Sequence, residues 1–159
     1  MSNIHPTFHD RNVHDNPMSI ARAALAISLL AAVSYWAPAF AVPQDTPTTI
    51  DGVKAVCTGV GESKNDPRWR AYPLKLVFAN TKGQYTAGER IDITRNGQTM
   101  IQTSCDAPWL LLKPMAGNYR VTATLSGPSG KRRASADFTA QSAGPQKTVT
   151  LDFPVVQTG

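Results

Sequence analysis

The chain has 159 residues, 42% of them apolar, 17% charged and 8% aromatic, and its 16 basic and 11 acidic side chains give a formal net charge of +5. That length suits one compact domain and leaves no room for a second large one. The composition excludes a polytopic membrane protein, a coiled coil and a wholly disordered chain, and names no reaction.

Residues 1–17 are polar and read as a leader, or as a stretch ahead of a true start at Met18. Residues 18–41 read as a helical signal peptide. Arg22 precedes the apolar run Ala23–Val33, and Ala39-Phe40-Ala41 supplies the small-x-small pattern that a signal peptidase cuts. An uncleaved anchor is the rival reading, because Ala23–Val42 carries no charge and is long enough to span a bilayer. Pro38, the many alanines and the cleavage motif favour removal, and no cysteine follows the motif to accept a lipid. The expected location is therefore the periplasm, with secretion or inner-membrane anchoring as alternatives.

All three histidines, His5, His9 and His14, lie ahead of this motif, so a chain starting at Val42 has none. Without an imidazole no Ser-His-Asp or Cys-His arrangement can form. Two cysteines alone cannot complete a structural zinc site, and no metal or cofactor is expected. The removed segment holds Arg11 and Arg22 against Asp10 and Asp15, so the net charge is unchanged.

Cys57 and Cys105 remain, and an oxidising compartment allows them one pairing. A bond closing 48 residues of chain stabilises the fold by about 4 kcal/mol through loop entropy. No CxxC spacing suggests a redox pair.

In chain order, residues 42–51 read as a flexible, proline-bearing linker, residues 52–153 as a β-sandwich domain, and residues 154–159 as a tail. Val53–Gly59 places Val53, Ala55 and Cys57 on one face, and Tyr72–Ala79 does the same for Leu74, Leu76 and Phe78. Arg90–Arg95 and Gln98–Cys105 flank Asn96-Gly97, the two-residue turn that accepts positive φ twice. The short apolar run Trp109–Leu112 follows. Asn118–Leu125, Arg133–Ala140 and Thr148–Phe153 alternate in the same way. About seven short strands with one polar face each predict an all-β fold, two antiparallel sheets packed face to face.

Ala116-Gly117-Asn118-Tyr119-Arg120-Val121-Thr122-Ala123 resembles the closing motif of carboxypeptidase regulatory-like and transthyretin-like (prealbumin-like) domains, in which a Pro-Gly-x-Tyr turn leads into an alternating strand. With Gln84–Gly88 and Cys105–Leu111, the chain over residues 52–153 is similar to small exported proteobacterial proteins of that type. Ala116 stands where the turn proline is usual. The transthyretin-like hydrolases of the purine pathway use histidines, which are missing over these residues, so the resemblance implies a domain without catalysis. Fold alone does not assign a role.

Three features could carry binding. In Gly61–Arg70, Trp69 lies between Arg68 and Arg70, a pattern that stacks on a sugar or grips an anion, or that merely covers the sandwich end. Trp109, behind Asp106-Ala107-Pro108, is expected to enter the core, with Asp106 bonding nearby backbone amides. Lys131-Arg132-Arg133 could meet anionic lipid or glycan, or simply solubilise a hairpin end. Glu89 and Asp92 have opposite strand parity and cannot act as an acid/base pair.

The expectation is a monomeric, exported, non-catalytic module that binds an envelope protein or an anionic glycan or lipid headgroup. A carbohydrate-binding role for Trp69 and its basic neighbours is the alternative. No aromatic–basic interleaving points to nucleic acid, and membrane contact requires an uncut signal.

Overall fold

The computed structural model describes residues 40–155; the polar leader, most of the signal segment and the end of the tail lie outside the described residues. Ten strands form two five-stranded sheets. Sheet A has the order β1 (Phe40–Val42), β6 (Gln98–Cys105), β5 (Glu89–Arg95), β8 (Gly117–Gly127), β9 (Gly130–Ala140). Sheet B has the order β10 (Lys147–Phe153), β4 (Leu74–Asn80), β7 (Trp109–Lys113), β3 (Val53–Thr58), β2 (Thr48–Ile50). The class is all-β and sandwich-like.

Alternation chose the buried faces. Ala55, Cys57, Leu74, Leu76, Phe78, Ile91, Ile93, Val121, Ala123, Leu151 and Phe153 meet in one core between the sheets. On β5, β8 and β10 the buried apolar residues alternate, so one face of the sheet leaves water, whereas β3 and β4 bury residues of the other parity as well, Val56 and Val77 among them. The β5–β6 hairpin turns at Asn96 and Gly97, both at positive φ (51° and 78°), as its two-residue turn requires. A bulge at Ile93/Thr94 shifts its register.

Four expectations are corrected. The described residues form ten strands rather than about seven. Trp109–Lys113, expected only as a short apolar run, is the central strand of sheet B and pairs with both β3 and β4. Residues 42–51 are not a free linker, since they hold the end of β1 and all of β2. Nor are the sheets purely antiparallel, because β1 runs parallel to β6 and β10 parallel to β4. Both of these edge strands connect along the chain to the opposite sheet, so no hairpin imposes an antiparallel partner. The disulfide joins Cys57 of β3 to Cys105 of β6 (Sγ–Sγ 2.05 Å, Cα–Cα 5.5 Å) and so ties sheet B to sheet A.

Candidate binding site

Between β3 and β4 the chain lies over the outer face of sheet B, and local chemistry fixes its path. Gly59 has φ +105°, and a Cβ there would sit 2.6 Å from Cδ2 of Trp109, so only glycine lets the backbone cross the indole. Two short 3₁₀ turns follow, Gly61–Asn65 and Pro67–Ala71. Asp66 starts the second. Its carboxylate accepts from the Arg68 backbone N–H at 2.8 Å and the Arg68 Nε at 2.8 Å, with Pro67 in the first helical position.

This geometry turns Trp69 inward. Its Nε1 donates to the Ser63 carbonyl at 2.6 Å, and its ring joins Val56, Tyr72 and Leu111 in a small second core on the outer face of sheet B. At 5% exposure Trp69 offers no face for a sugar ring. Gln146 closes the arrangement by donating to the carbonyls of Trp69 (2.9 Å) and Tyr72 (3.0 Å). Burial also pushes the Tyr72 hydroxyl above the ordinary tyrosine range.

Trp109 corrects a further expectation. It stands on the outer face of sheet B, half-buried, instead of entering the core. The Lys75 ammonium lies 3.1 Å from the centroid of its ring, and Tyr85 meets it edge-on at 6.3 Å. Burial lowers the Lys75 pKa from the ordinary lysine value. Between this aromatic pair and the 3₁₀ segment lies a hollow of about 370 Å³, lined by Lys64, Asp66, Arg70, Lys75, Trp109 and Gln146, among others.

The charges in this hollow are unbalanced. Asp66 is already paired with Arg68 at 2.6 Å, and the Arg68 hydrogen bonds hold its carboxyl below the usual carboxylate range. Arg68 in turn lies 5.0 Å over the Trp69 ring. The ion pairs found among the described residues are Arg68–Asp66 and Arg120–Asp137, so Lys64, Arg70 and Lys75 face the hollow with no carboxylate engaged.

The basic triplet Lys131-Arg132-Arg133 is not a single patch. It opens β9, where alternation sends Lys131 and Arg133 to one face and Arg132 to the other. Arg132 Nη1 donates to the Pro154 carbonyl at 3.3 Å. The triplet belongs to the edge of sheet A, whereas Arg68, Trp69 and Arg70 cover sheet B, so the structure does not unite the two predicted sites. Asp106 is exposed and, among the described residues, accepts no backbone hydrogen bond. Glu89 and Asp92 do point apart. Glu89 is fully buried, while Asp92 accepts from Gln102 Nε2 at 2.8 Å across the hairpin.

Two other hollows are less suited to a charged ligand. One, of about 640 Å³, is bordered by Arg120 and Asp137, which satisfy each other through two 2.7 Å contacts. An apolar cleft of about 300 Å³ opens between the sheets at the end away from the disulfide, beside Met100, Met115, Tyr119 and Phe138. Of the residues lining the basic hollow, Trp69, Arg70 and Trp109 are candidates legible in the sequence, whereas Lys64, Lys75 and Gln146 are not. The usable signal was the shared outward parity of Trp109 and Lys113 on β7. Comparison of the chain with protein-family models, with curated proteins and with solved structures finds no match.

Proposed function

We propose that this chain is an exported, non-catalytic binding module that takes an anionic group, from an acidic envelope glycan or a lipid headgroup, in the hollow between the 3₁₀ segment and Trp109. The observation that carries this reading is the set Lys64, Arg70 and Lys75, which lines one hollow with no carboxylate engaged. A desolvated ammonium against an indole gains most by meeting a partner of opposite charge. Gln146 and the Asp66 cap hold the site rigid, so little ordering entropy is lost on binding.

The signal-like segment supports export, and the lack of histidine from Val42 onward supports a role without acid–base catalysis. Within this proposal the sandwich is of the transthyretin-like type, a monomer acting in the periplasm. The glycan reading shifts from stacking on Trp69, which is buried, to charge recognition by Lys75 and Arg70.

Two binding assays separate the ligand sources. One measures co-sedimentation with phosphatidylglycerol-containing vesicles against phosphatidylcholine vesicles, and the other gel retardation by an acidic against a neutral polysaccharide. Binding in either acidic arm should fall at least tenfold in Lys75→Gln/Arg70→Gln, with unchanged thermal stability. Equal binding by that variant, or no preference for the acidic partner in either assay, refutes the proposal.

A further inference from the structure

The residues that link the signal-like segment to the sandwich are themselves built into it. Phe40–Val42 pairs in parallel with Thr103–Cys105. The Thr103 side chain is fully buried, and its hydroxyl donates to the Phe40 carbonyl at 2.6 Å. Val42 is 4% exposed and belongs to the main core. The chain then crosses to sheet B. Gln44 bridges Cys57, the Asp45 N–H donates to the Cys57 carbonyl at 2.8 Å, and the buried Thr58 hydroxyl donates to Asp45 Oδ1 at 2.6 Å. Residues 40–45 therefore lace together the two strands that carry the disulfide.

The sequence holds two overlapping small-x-small frames, Ala37-Pro38-Ala39 and Ala39-Phe40-Ala41. A cut after Ala41 discards two of the three residues of β1 and takes away the acceptor of the buried Thr103 hydroxyl. That hydroxyl would keep only a 3.4 Å contact to the Ser104 carbonyl. Orphaning a buried donor is costly, and the edge of β6 would lose its pairing at Thr103 and Ser104. A cut after Ala39 leaves β1 whole and puts the new amino group on Phe40, which is 75% exposed and solvates the charge.

We infer that export processing cleaves the Ala39–Phe40 bond, so that the mature chain begins at Phe40 rather than Val42. The step is a hydrolysis by a signal peptidase. Water adds across the amide, leaving a carboxylate on Ala39 and an amine on Phe40. The inference rests on the export reading, and the test separates the two.

The full chain, tagged at its C-terminus, is expressed in a Gram-negative host, and the envelope fraction is read by N-terminal sequencing and intact mass. The expected first residue is Phe40. Ala41→Leu blocks only the downstream frame and alters an exposed position, so processing should continue unchanged. Ala37→Leu blocks only the upstream frame and should slow or displace the cut. A wild-type chain beginning at Val42, or loss of processing in Ala41→Leu, overturns the inference and leaves export intact. A chain that keeps its leader in the cytosol overturns both. A direct comparison of chains starting at Phe40 and at Val42 should show a melting temperature several degrees lower for the shorter one, and equal values would remove the structural reason.

Discussion

Glu89 offers the sharpest test of the fold as a physical object. It opens β5 with the inward parity of Ile91 and Ile93, pairs across the ladder with Cys105, and is 0% exposed. Neither carboxylate oxygen has a hydrogen-bond partner among the described residues, and the buried Thr86 hydroxyl is likewise unpartnered. Desolvation pushes the Glu89 pKa above its ordinary 4.5. The nearby Thr86 hydroxyl partly opposes that rise, and the Asp106 carboxylate reinforces it. Between the unfolded and the raised folded pKa the native state thus binds more protons than the unfolded one.

The sign follows directly. Stability contributed by protonated Glu89 is fully present below the unfolded pKa and is lost as pH rises through the folded one, at about 1.4 kcal/mol per pH unit. Glu89→Gln keeps the shape and removes the charge. Urea or thermal unfolding of both proteins from pH 4 to pH 8 gives a difference curve in which other carboxylates cancel. The variant should gain on the wild type with that slope and then level off. A gain of about 1 kcal/mol corresponds to roughly 4 °C in a domain of this size. A flat difference curve, or one that favours wild type as pH rises, would refute the placement of an uncompensated carboxyl in the core.

Other perturbations address separate contacts. Replacing both cysteines by serine should cost about 4 kcal/mol in urea unfolding, the loop-entropy value for a 48-residue separation, and a loss below about 1 kcal/mol would contradict the staple. Gly59→Ala should cost about 2–4 kcal/mol, since it combines a positive φ with a Cβ driven into the Trp109 ring, and tryptophan fluorescence should shift with it. Thr103→Val removes the buried donor to Phe40 at constant shape and should cost about 1 kcal/mol, read from the denaturation midpoint. No change in that midpoint would count against β1 as part of the domain.

How much of this was legible depends on whether a strand carries one apolar parity or two. Tyr119, Val121, Ala123 and Leu125 alternate with polar residues, so water alone decides which face of β8 is buried, and the prediction matched. The run Trp109-Leu110-Leu111-Leu112-Lys113 has apolar residues on both parities, and bulk alone favours Trp109 as the core residue. The structure settled it by charge. Lys113 shares the parity of Trp109 and Leu111, and a lysine stem reaches water readily while a leucine does not. Leu110 and Leu112 therefore fill the main core, and Trp109 goes outside with Leu111. The β1 and β2 segments escaped for another reason. β1 pairs with the distant Thr103–Cys105, and β2, although it joins β3 through the two-residue turn Asp51-Gly52, is like β1 too short for a periodic pattern to show.

The site was harder to read because its parts come from three distant stretches. Arg70 was legible as a charge next to a tryptophan, but Lys75 looked like the routine polar position of an alternating strand. Only the sheet register, which sets Lys75 of β4 beside Leu111 and Val77 beside Trp109, brings an ammonium onto that indole. Trp69, the residue that drew attention, serves as the floor that holds the surrounding cations in place, and its hydrogen bond to Ser63 explains why it cannot also face a ligand. An aromatic flanked by two arginines thus has two physical outcomes, and a backbone carbonyl within reach of the indole N–H selects the buried one. If so, Trp69→Phe, which keeps the ring bulk but loses the 2.6 Å bond, should loosen the 3₁₀ segment and weaken anion binding without abolishing it, whereas Lys75→Gln/Arg70→Gln should remove binding without loosening the segment. Hydrogen exchange across Gly61–Ala71 together with the vesicle and glycan assays distinguishes the two, and identical responses from both variants would show that positioning and charge are not separable here.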